Sequence, residues 1–120
     1  MSVKHYDWSA YNAYVRPNKI AIRDLTSNKT LTYKDLDERA SRLAKWLQLQ
    51  GVKKGDRIAI LSQNCPEFFE LEFACAKIGA IELPLNWRLT KPELEYILND
   101  STPEVLIYDH TFADISNELI

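Results

Sequence analysis

DRIAILSQNCPEFFELEFACAKIGAIELPL, residues 56–85, holds two apolar runs separated by a stretch with helical spacing. The first run, RIAIL, shows no alternation of polar and apolar residues, which is typical of a strand covered on both faces. Between the runs, apolar residues recur at intervals of three and four and a glycine follows them (Leu71, Ala74, Cys75, Ile78; Gly79). We therefore predict a buried strand, a helix that ends at the glycine, and a second buried strand, AIELPL.

The same alternation continues toward the C-terminus. Thr90 and Glu93 have the spacing of a capping box and predict a helix that stops at residues 99–101. EVLIY, residues 104–108, is predicted to be a third buried strand, and a further helix is predicted to begin near Thr111. The predicted order is β-α-β-α-β, which requires right-handed crossovers. The fold class is therefore α/β, a layered parallel sheet with flanking helices.

A capped helix precedes the first of these strands. Thr32 with Asp35 marks its start, its apolar residues recur on one face, and Gly51 closes it. Farther upstream, the runs KIAIRDL and TLTY predict a hairpin joined by residues 26–29. A short helix is predicted before the hairpin, over residues 8–15.

The length and composition are typical of one soluble domain. The 120 residues are 46% hydrophobic and 27% charged, and a net charge of −2 offers no basic field for nucleic acid. No apolar run approaches the ~20 residues that span a bilayer, so we expect a cytoplasmic protein without a transmembrane segment. We expect a single incomplete domain over residues 1–120, with a helix and hairpin region in 1–30 and the β/α layered portion in 31–120.

Candidate ligand contacts follow the predicted strands, because open parallel sheets bind ligands beyond the carboxyl ends of their strands. They form three groups: Ser62, Gln63 and Asn64; Asn86, Trp87 and Arg88; Asp109 and His110. Asn64 is interpreted as a helix cap, and Asp109 with His110 as turn residues. Trp87 is expected to pack against the sheet edge.

The helix after the first strand carries further ionisable side chains. Cys65 lies at its N-terminus, a place that lowers a thiol pKa, although we favour a structural role. Glu67, Glu70 and Glu72 are predicted to form the solvent-facing side of the helix. No acid–base partner accompanies them, so no catalytic role is predicted.

The sequence lacks the parts of a self-contained active site. Its three glycines, at positions 51, 55 and 79, are not neighbours, so no glycine-rich loop can hold a phosphate. Neither a metal-ligand cluster nor a nucleophile–base pair is present. We therefore expect no catalytic residue, no metal site and no bound cofactor in this chain by itself.

A family resemblance extends over residues 31–107, LTYKDLDERASRLAKWLQLQGVKKGDRIAILSQNCPEFFELEFACAKIGAIELPLNWRLTKPELEYILNDSTPEVLI. This succession resembles the N-terminal part of the large domain of adenylate-forming enzymes, which include acyl-CoA synthetases, aryl-CoA ligases, luciferases and peptide-synthetase adenylation domains. The resemblance implies attack of a carboxylic acid on Mg-ATP to give acyl-AMP, then transfer of the acyl group to a thiol, usually that of CoA.

The resemblance also implies what the chain needs from elsewhere. ATP, Mg²⁺ and CoA are implied for the full-length enzyme, but the phosphate loop and the catalytic lysine of such enzymes have no counterpart here. The chain is therefore expected to be an inactive N-terminal fragment whose partner is the missing remainder of the enzyme. Self-association through exposed apolar surface is a further expectation.

The segment PLNWRLT, residues 84–90, favours an acyl- or aryl-CoA ligase over a peptide-synthetase adenylation domain, since the latter tends to carry Asp-Pro after the strand proline. In some CoA ligases a basic residue of this segment lies near the phosphate-bearing end of CoA. The resemblance therefore implies that Arg88 binds CoA. The alternatives are a solvated loop residue or an arginine that pairs with a helix-end carbonyl.

A different class of function stays open. The 120 residues could act as a naturally truncated, non-catalytic interaction module, because an uncovered strand edge and apolar face favour association. The end of the sequence, DISNELI at residues 114–120, has the pattern of an unfinished helix, which favours a truncated enzyme instead.

Overall fold

The computed structural model describes residues 7–119. Its elements are α1 (Trp8–Val15), β1 (Ile20–Asp24), β2 (Lys29–Thr32), α2 (Tyr33–Leu49), β3 (Arg57–Leu61), α3 (Pro66–Ile78), β4 (Ile81–Leu85), α4 (Lys91–Ser101), β5 (Val105–Tyr108), a 3₁₀ turn (His110–Phe112) and α5 (Ala113–Leu119). No helix within the described range is long and apolar enough to cross a membrane.

β1 and β2 pair as an antiparallel hairpin, which confirms the prediction from the two short runs. Asp24 closes the turn, since its carboxylate accepts hydrogen bonds from Ser27 Oγ at 2.6 Å and from Thr26 N at 3.1 Å. These bonds, that of the Ser27 hydroxyl first, hold the pKa of Asp24 below its ordinary value. Asn28 takes a φ of 58°, which asparagine tolerates better than most residues.

The other three strands form a parallel sheet in the order β4-β3-β5, which confirms the predicted α/β class. β3 lies in the centre, and its residues 58–61 are buried on both faces, as the unbroken run RIAIL predicts. The predictions that β4 and β5 are also buried strands are wrong, because both lie at the edges of the described sheet and stay partly exposed. The position of β4 and β5 at the edges of the sheet, and not their hydrophobicity, explains why they are more exposed than β3.

Two apolar layers cover the two faces of β3. Ile58 and Ile60 point toward α2 and α3, where they contact Leu47, Leu71 and Ala74. Ala59 and Leu61 point to the other face, where the buried side chains of Leu85 and Leu94 pack beside them. The alternation along one strand thus anchors helices on both sides of the sheet.

α4 ends at Ser101, within the predicted stop over residues 99–101; there Ser101 Oγ donates to Ile97 O at 2.6 Å and Arg57 donates to Ser101 O at 3.1 Å. Two other helix boundaries differ from the predicted ones. Cys65, not Asn64, is the N-cap of α3, so the cap assigned to Asn64 is wrong. At the C-terminal end, a 3₁₀ turn precedes α5, which begins at Ala113.

Ion pairs hold the helices of one face together. Lys77 of α3 contacts Asp7 at 3.1 Å and Asp37 of α2 at 2.5 Å, so α1, α2 and α3 meet at one ammonium group. Glu70 of α3 is buried and paired with Arg39 of α2. The prediction that Glu70 faces solvent is therefore wrong, because a partner 31 residues away compensates its burial. The assignment of 1–120 to one incomplete domain stays a prediction.

Candidate functional site

The predicted ligand contacts do meet at one end of the parallel sheet. β3 continues into residues 62–64, β4 into 86–88, and β5 into 109–110. Asp109 N donates to Leu61 O at 3.1 Å, which extends the parallel pairing to the very end of the strands. Because β3 is central, residues 62–64 separate two clefts, one toward β5 and one toward β4.

The first cleft, of about 430 Å³, lies between residues 62–64, the hairpin and the end of β5. Ile60 and Ile107 form its apolar floor. Its charged lining residues are three carboxylates, those of Asp24, Glu67 and Asp109. Three negative charges repel an anionic ligand, so this cleft does not suit a phosphate.

Cys65 lines the first cleft but is not an activated thiol. Burial, the largest influence, raises the pKa of Cys65, and the neighbouring Glu67 adds to the rise. A contact of 3.6 Å between Ser62 Oγ and Cys65 Sγ lowers the pKa of Cys65, but by less than burial raises it. Burial of the thiol thus outweighs the lowering of the pKa that a helix N-terminus can cause, and the structural role of Cys65 stays a prediction.

The second cleft, of about 620 Å³, lies between residues 62–64 and the segment after β4. Arg88 is the charged side chain of its lining. The polar lining comes from the hydroxyl of Ser62 and the amides of Gln63, Asn64 and Asn86. Hydroxyl, amide and guanidinium donors can all hydrogen-bond an anion, and the guanidinium adds a permanent positive charge.

Arg88 itself is exposed, and its neighbours hold it in place. Its backbone N–H donates to Asn86 Oδ1 at 3.0 Å, and its guanidinium carbon lies 4.8 Å from the centre of the Trp87 ring. The guanidinium makes no hydrogen bond or salt bridge to another residue in the range 7–119. The alternative of a pair with a helix-end carbonyl is thus not seen among the described residues, and the role of Arg88 in binding CoA stays a prediction.

Trp87 packs inward, as the sequence predicts. It is half-buried against the layer that contains Ala59, Leu61 and Leu85, and its ring centre lies 6.2 Å from that of Phe112 at an angle of 44°. Phe112 follows the end of β5, so the two rings join the ends of two strands. The tryptophan therefore serves both the core and the cleft lining.

The predicted turn residues after β5, Asp109 and His110, contact each other. His110 Nδ1 lies 3.0 Å from Asp109 Oδ1, but the histidine side chain is 95% exposed. Within residues 7–119 no three His, Cys, Asp or Glu side chains come together in a way that could hold a metal ion. Asp109 precedes a 3₁₀ turn, which fits the interpretation as a turn residue.

Sequence reasoning missed one carboxyl, that of Glu82 in β4. Its Oε1 is buried and has no hydrogen-bond partner in the described part of the chain. Burial, and then the negative charge of Glu72, raise the pKa of Glu82 to about 7. Burial likewise raises the pKa of Cys75 on α3 to about 12. An acid inside the apolar run AIELPL was the signal that could have identified it.

Comparison with known proteins places these features in a family. Residues 9–119 match the family of AMP-binding enzymes. The chain is 41% identical over 107 residues to feruloyl-CoA synthase of Amycolatopsis sp, a match that covers 89% of this chain and 21% of that protein. It is 34% identical over 111 residues to the fatty acid–[acyl-carrier-protein] ligase ScoC of Streptomyces coeruleorubidus, covering 92% of this chain and 21% of that protein.

The backbone agrees with the sequence comparison. The inhibitor-bound N-terminal domain of FACL13 from Mycobacterium tuberculosis superposes with a TM-score of 0.90 and 35% identity, over 97% of this chain and 29% of that one. The chain spans about a fifth of the length of the curated relatives that it matches. Sequence and backbone together confirm the predicted resemblance: the chain belongs to the family of AMP-binding enzymes.

Proposed function

We propose that this chain is the N-terminal part of an ATP-dependent carboxylic acid–CoA ligase. In the longer protein a carboxylate oxygen attacks the α-phosphorus of ATP, pyrophosphate leaves, and the acyl-AMP then gives its acyl group to the CoA sulfur with release of AMP. Feruloyl-CoA synthase, a relative at 41% identity, is named for a product of this kind. The chain alone is proposed to be inactive.

The observation that carries the proposal is the second cleft. Arg88 supplies its positive charge, at the carboxyl end of a parallel sheet where open α/β folds bind ligands. A guanidinium is permanently charged and presents a planar set of N–H donors that matches phosphate oxygens. We assign Arg88 to a phosphate of CoA in the assembled enzyme.

The remaining requirements of the reaction belong to the longer protein. ATP and Mg²⁺ are proposed to bind there, and the missing remainder is the proposed partner of this chain in the cytoplasm. The relatives are named for acids as different as ferulic and fatty acids. The proposal therefore extends to the class of carboxylic acids and not to one acid.

The final acyl acceptor has one specific alternative. ScoC, at 34% identity, is named for transfer to an acyl carrier protein instead of CoA. A carrier protein also presents a thiol, on an arm that ends in the same kind of group as CoA. A carrier protein lacks the nucleotide end of CoA, however, so this acceptor offers Arg88 no nucleotide phosphate.

The longest polypeptide that the gene encodes is the material for the test. We expect exchange of radiolabelled pyrophosphate into ATP that depends on an added carboxylic acid, with ferulate and long-chain fatty acids as the first candidates. Arg88→Ala should raise the KM for CoA about tenfold and leave the exchange reaction unchanged, since loss of a charge-assisted pair weakens CoA binding only. An unchanged KM for CoA would remove Arg88 from the proposal, and absence of exchange with every acid would remove the ligase itself.

A further inference from the structure

The Arg88 side chain is exposed, yet the Arg88 backbone and the Arg88 guanidinium each make a contact. On the backbone side, Arg88 N donates to Asn86 Oδ1 at 3.0 Å, and Leu89 N donates to Asn86 O at 3.1 Å, which closes the turn. On the side-chain side, the guanidinium carbon is 4.8 Å from the Trp87 ring centre. An exposed arginine without such contacts samples many rotamers, and ordering them on binding costs affinity.

Trp87 is itself fixed by the fold. It packs against the layer formed with Leu61, Leu85 and Leu94, and it contacts the ring of Phe112 at 6.2 Å. These contacts come from β3, β4, α4 and the turn after β5. The Trp87 ring is therefore held by the sheet, by α4 and by the turn after β5, and not only by the loop that carries it.

We propose that Trp87 is a positioning residue for Arg88, holding the guanidinium at the second cleft to receive the 3′-phosphate of CoA. The inference rests on the proposed role of Arg88. A guanidinium stacked on a ring uses its face for the ring and keeps the N–H groups at its edge for hydrogen bonds. Stacking on Trp87 and binding of a phosphate are thus compatible, and the first prepares the second.

Burial of Trp87 also supports a simpler role, that of core packing alone. The two roles differ in one measurable respect, because packing affects every ligand of the cleft while positioning affects only the ligand that Arg88 contacts. CoA and dephospho-CoA, which lacks the 3′-phosphate, separate them. Both ligands share the pantetheine arm, the diphosphate and the adenosine, so the ratio of their affinities reports on the contact with the 3′-phosphate.

The test uses the longest polypeptide that the gene encodes and measures the Kd of both ligands by calorimetry, with the ¹H–¹⁵N signal of the Trp87 indole as a local probe. Trp87→Leu keeps an apolar side chain but removes the ring, and Trp87→Phe keeps a ring. Trp46→Leu is the matched control, since Trp46 lies on α2 outside both clefts and is 45% exposed. Thermal melts by circular dichroism show whether each variant is folded.

We expect Trp87→Leu to weaken CoA binding about threefold, as loss of an exposed cation–π contact does, with the Kd of dephospho-CoA unchanged. Trp87→Phe should keep most of the preference for CoA, and Trp46→Leu should keep all of it. Equal weakening of both ligands by Trp87→Leu would overturn the inference in favour of packing alone.

Failure of the inference is distinguishable from failure of the proposal beneath it. If Arg88→Ala removes the preference for CoA and Trp87→Leu does not, Arg88 acts without Trp87 and only the inference falls. If the unmodified protein itself shows no preference for CoA over dephospho-CoA, the contact of Arg88 with the 3′-phosphate falls and the inference with it. Pyrophosphate exchange by the longer polypeptide still decides the ligase reaction in that case.

Discussion

The first and second clefts share residues 62–64, but the charges around them differ. The first is lined by the carboxylates of Asp24, Glu67 and Asp109. The second has Arg88 as its charged residue, among hydroxyl and amide groups. Two sites formed by the same strand end can thus differ in the sign of ligand they accept, because the flanking segments supply the charge.

The difference has a local origin in each flanking segment. Asp24 and Asp109 both lie at turns, where aspartate is a favoured residue. The Asp24 carboxylate accepts a hydrogen bond within the hairpin turn, and Asp109 precedes the 3₁₀ turn with an extended backbone. On the other side, Asn86 forms the turn with a neutral amide, which leaves Arg88 as the charge of that segment. The residues that form the turns therefore contribute to the difference in charge between the two clefts, beside Arg88 itself.

The largest expected effect comes from the strand that both clefts share. Leu61 is fully buried at the end of β3, beside Leu85 and Leu94. Leu61→Ala should lower the free energy of unfolding by about 3 kcal/mol, because it leaves a cavity in the middle of the sheet. Urea unfolding monitored by circular dichroism measures the change.

Leu49→Ala provides the matched control for that substitution, since Leu49 ends α2 and is 74% exposed. Its cost should stay below about 0.5 kcal/mol. Equal losses for the two variants would show that the end of β3 is not the rigid element between the clefts.

Much of this fold could be predicted from local pattern. The run RIAIL, the helical spacing after it and Gly79 correctly predicted β3, α3 and the return to β4, because periodicity reflects the burial of each element. The same pattern could not predict which strand lies in the centre of the sheet. AIELPL and EVLIY each carry four hydrophobic residues, as RIAIL does, but the crossover topology decides which strand is central, and that information is not local.

The site was predicted in position and less well in chemistry. Residues at the strand ends do converge, as parallel topology requires. Glu70 was assigned to solvent from its local context, which omitted Arg39 of another helix. This miss concerns a partner that only the assembled structure supplies, and the same holds for the orphaned oxygen of Glu82.

An intermediate effect is expected from Glu82, on the strand that leads into the second cleft. Its pKa of about 7 in the folded state lies above the unfolded value near 4.3, so the folded state binds the proton more tightly. Stability should therefore fall as pH rises from about 4 to about 7, and stay level above. A shift of this size corresponds to about 3 kcal/mol, but Glu82 is only partly buried, and solvent screening reduces the fall to about 1 kcal/mol.

Glu82→Gln tests this sign, because glutamine keeps the shape without the charge. The variant should be more stable than the unmodified protein by about 1 kcal/mol at pH 8, with the gain gone at pH 4. Urea unfolding across that pH range measures it, and Glu104→Gln, at an exposed position, is the control. The Kd for CoA should not change, which would show that Glu82 affects stability and not binding in the second cleft. A gain in stability that persists at pH 4 would contradict the raised pKa of Glu82.

The smallest expected effect tests whether the two clefts are electrostatically independent. Asp109→Asn removes one negative charge from the first cleft, and the Asp109 side chain makes no cap bond at the 3₁₀ turn that the change would break. At 0.15 M salt, exposed charges are screened beyond about 8 Å, so the Kd for CoA should change by less than about twofold, against about tenfold for Arg88→Ala. Calorimetry at 0.15 M and 0.02 M salt measures both variants. A change of fivefold or more for Asp109→Asn at the higher salt would mean that the carboxylates of the first cleft and Arg88 act on one ligand, and that the two clefts form a single site.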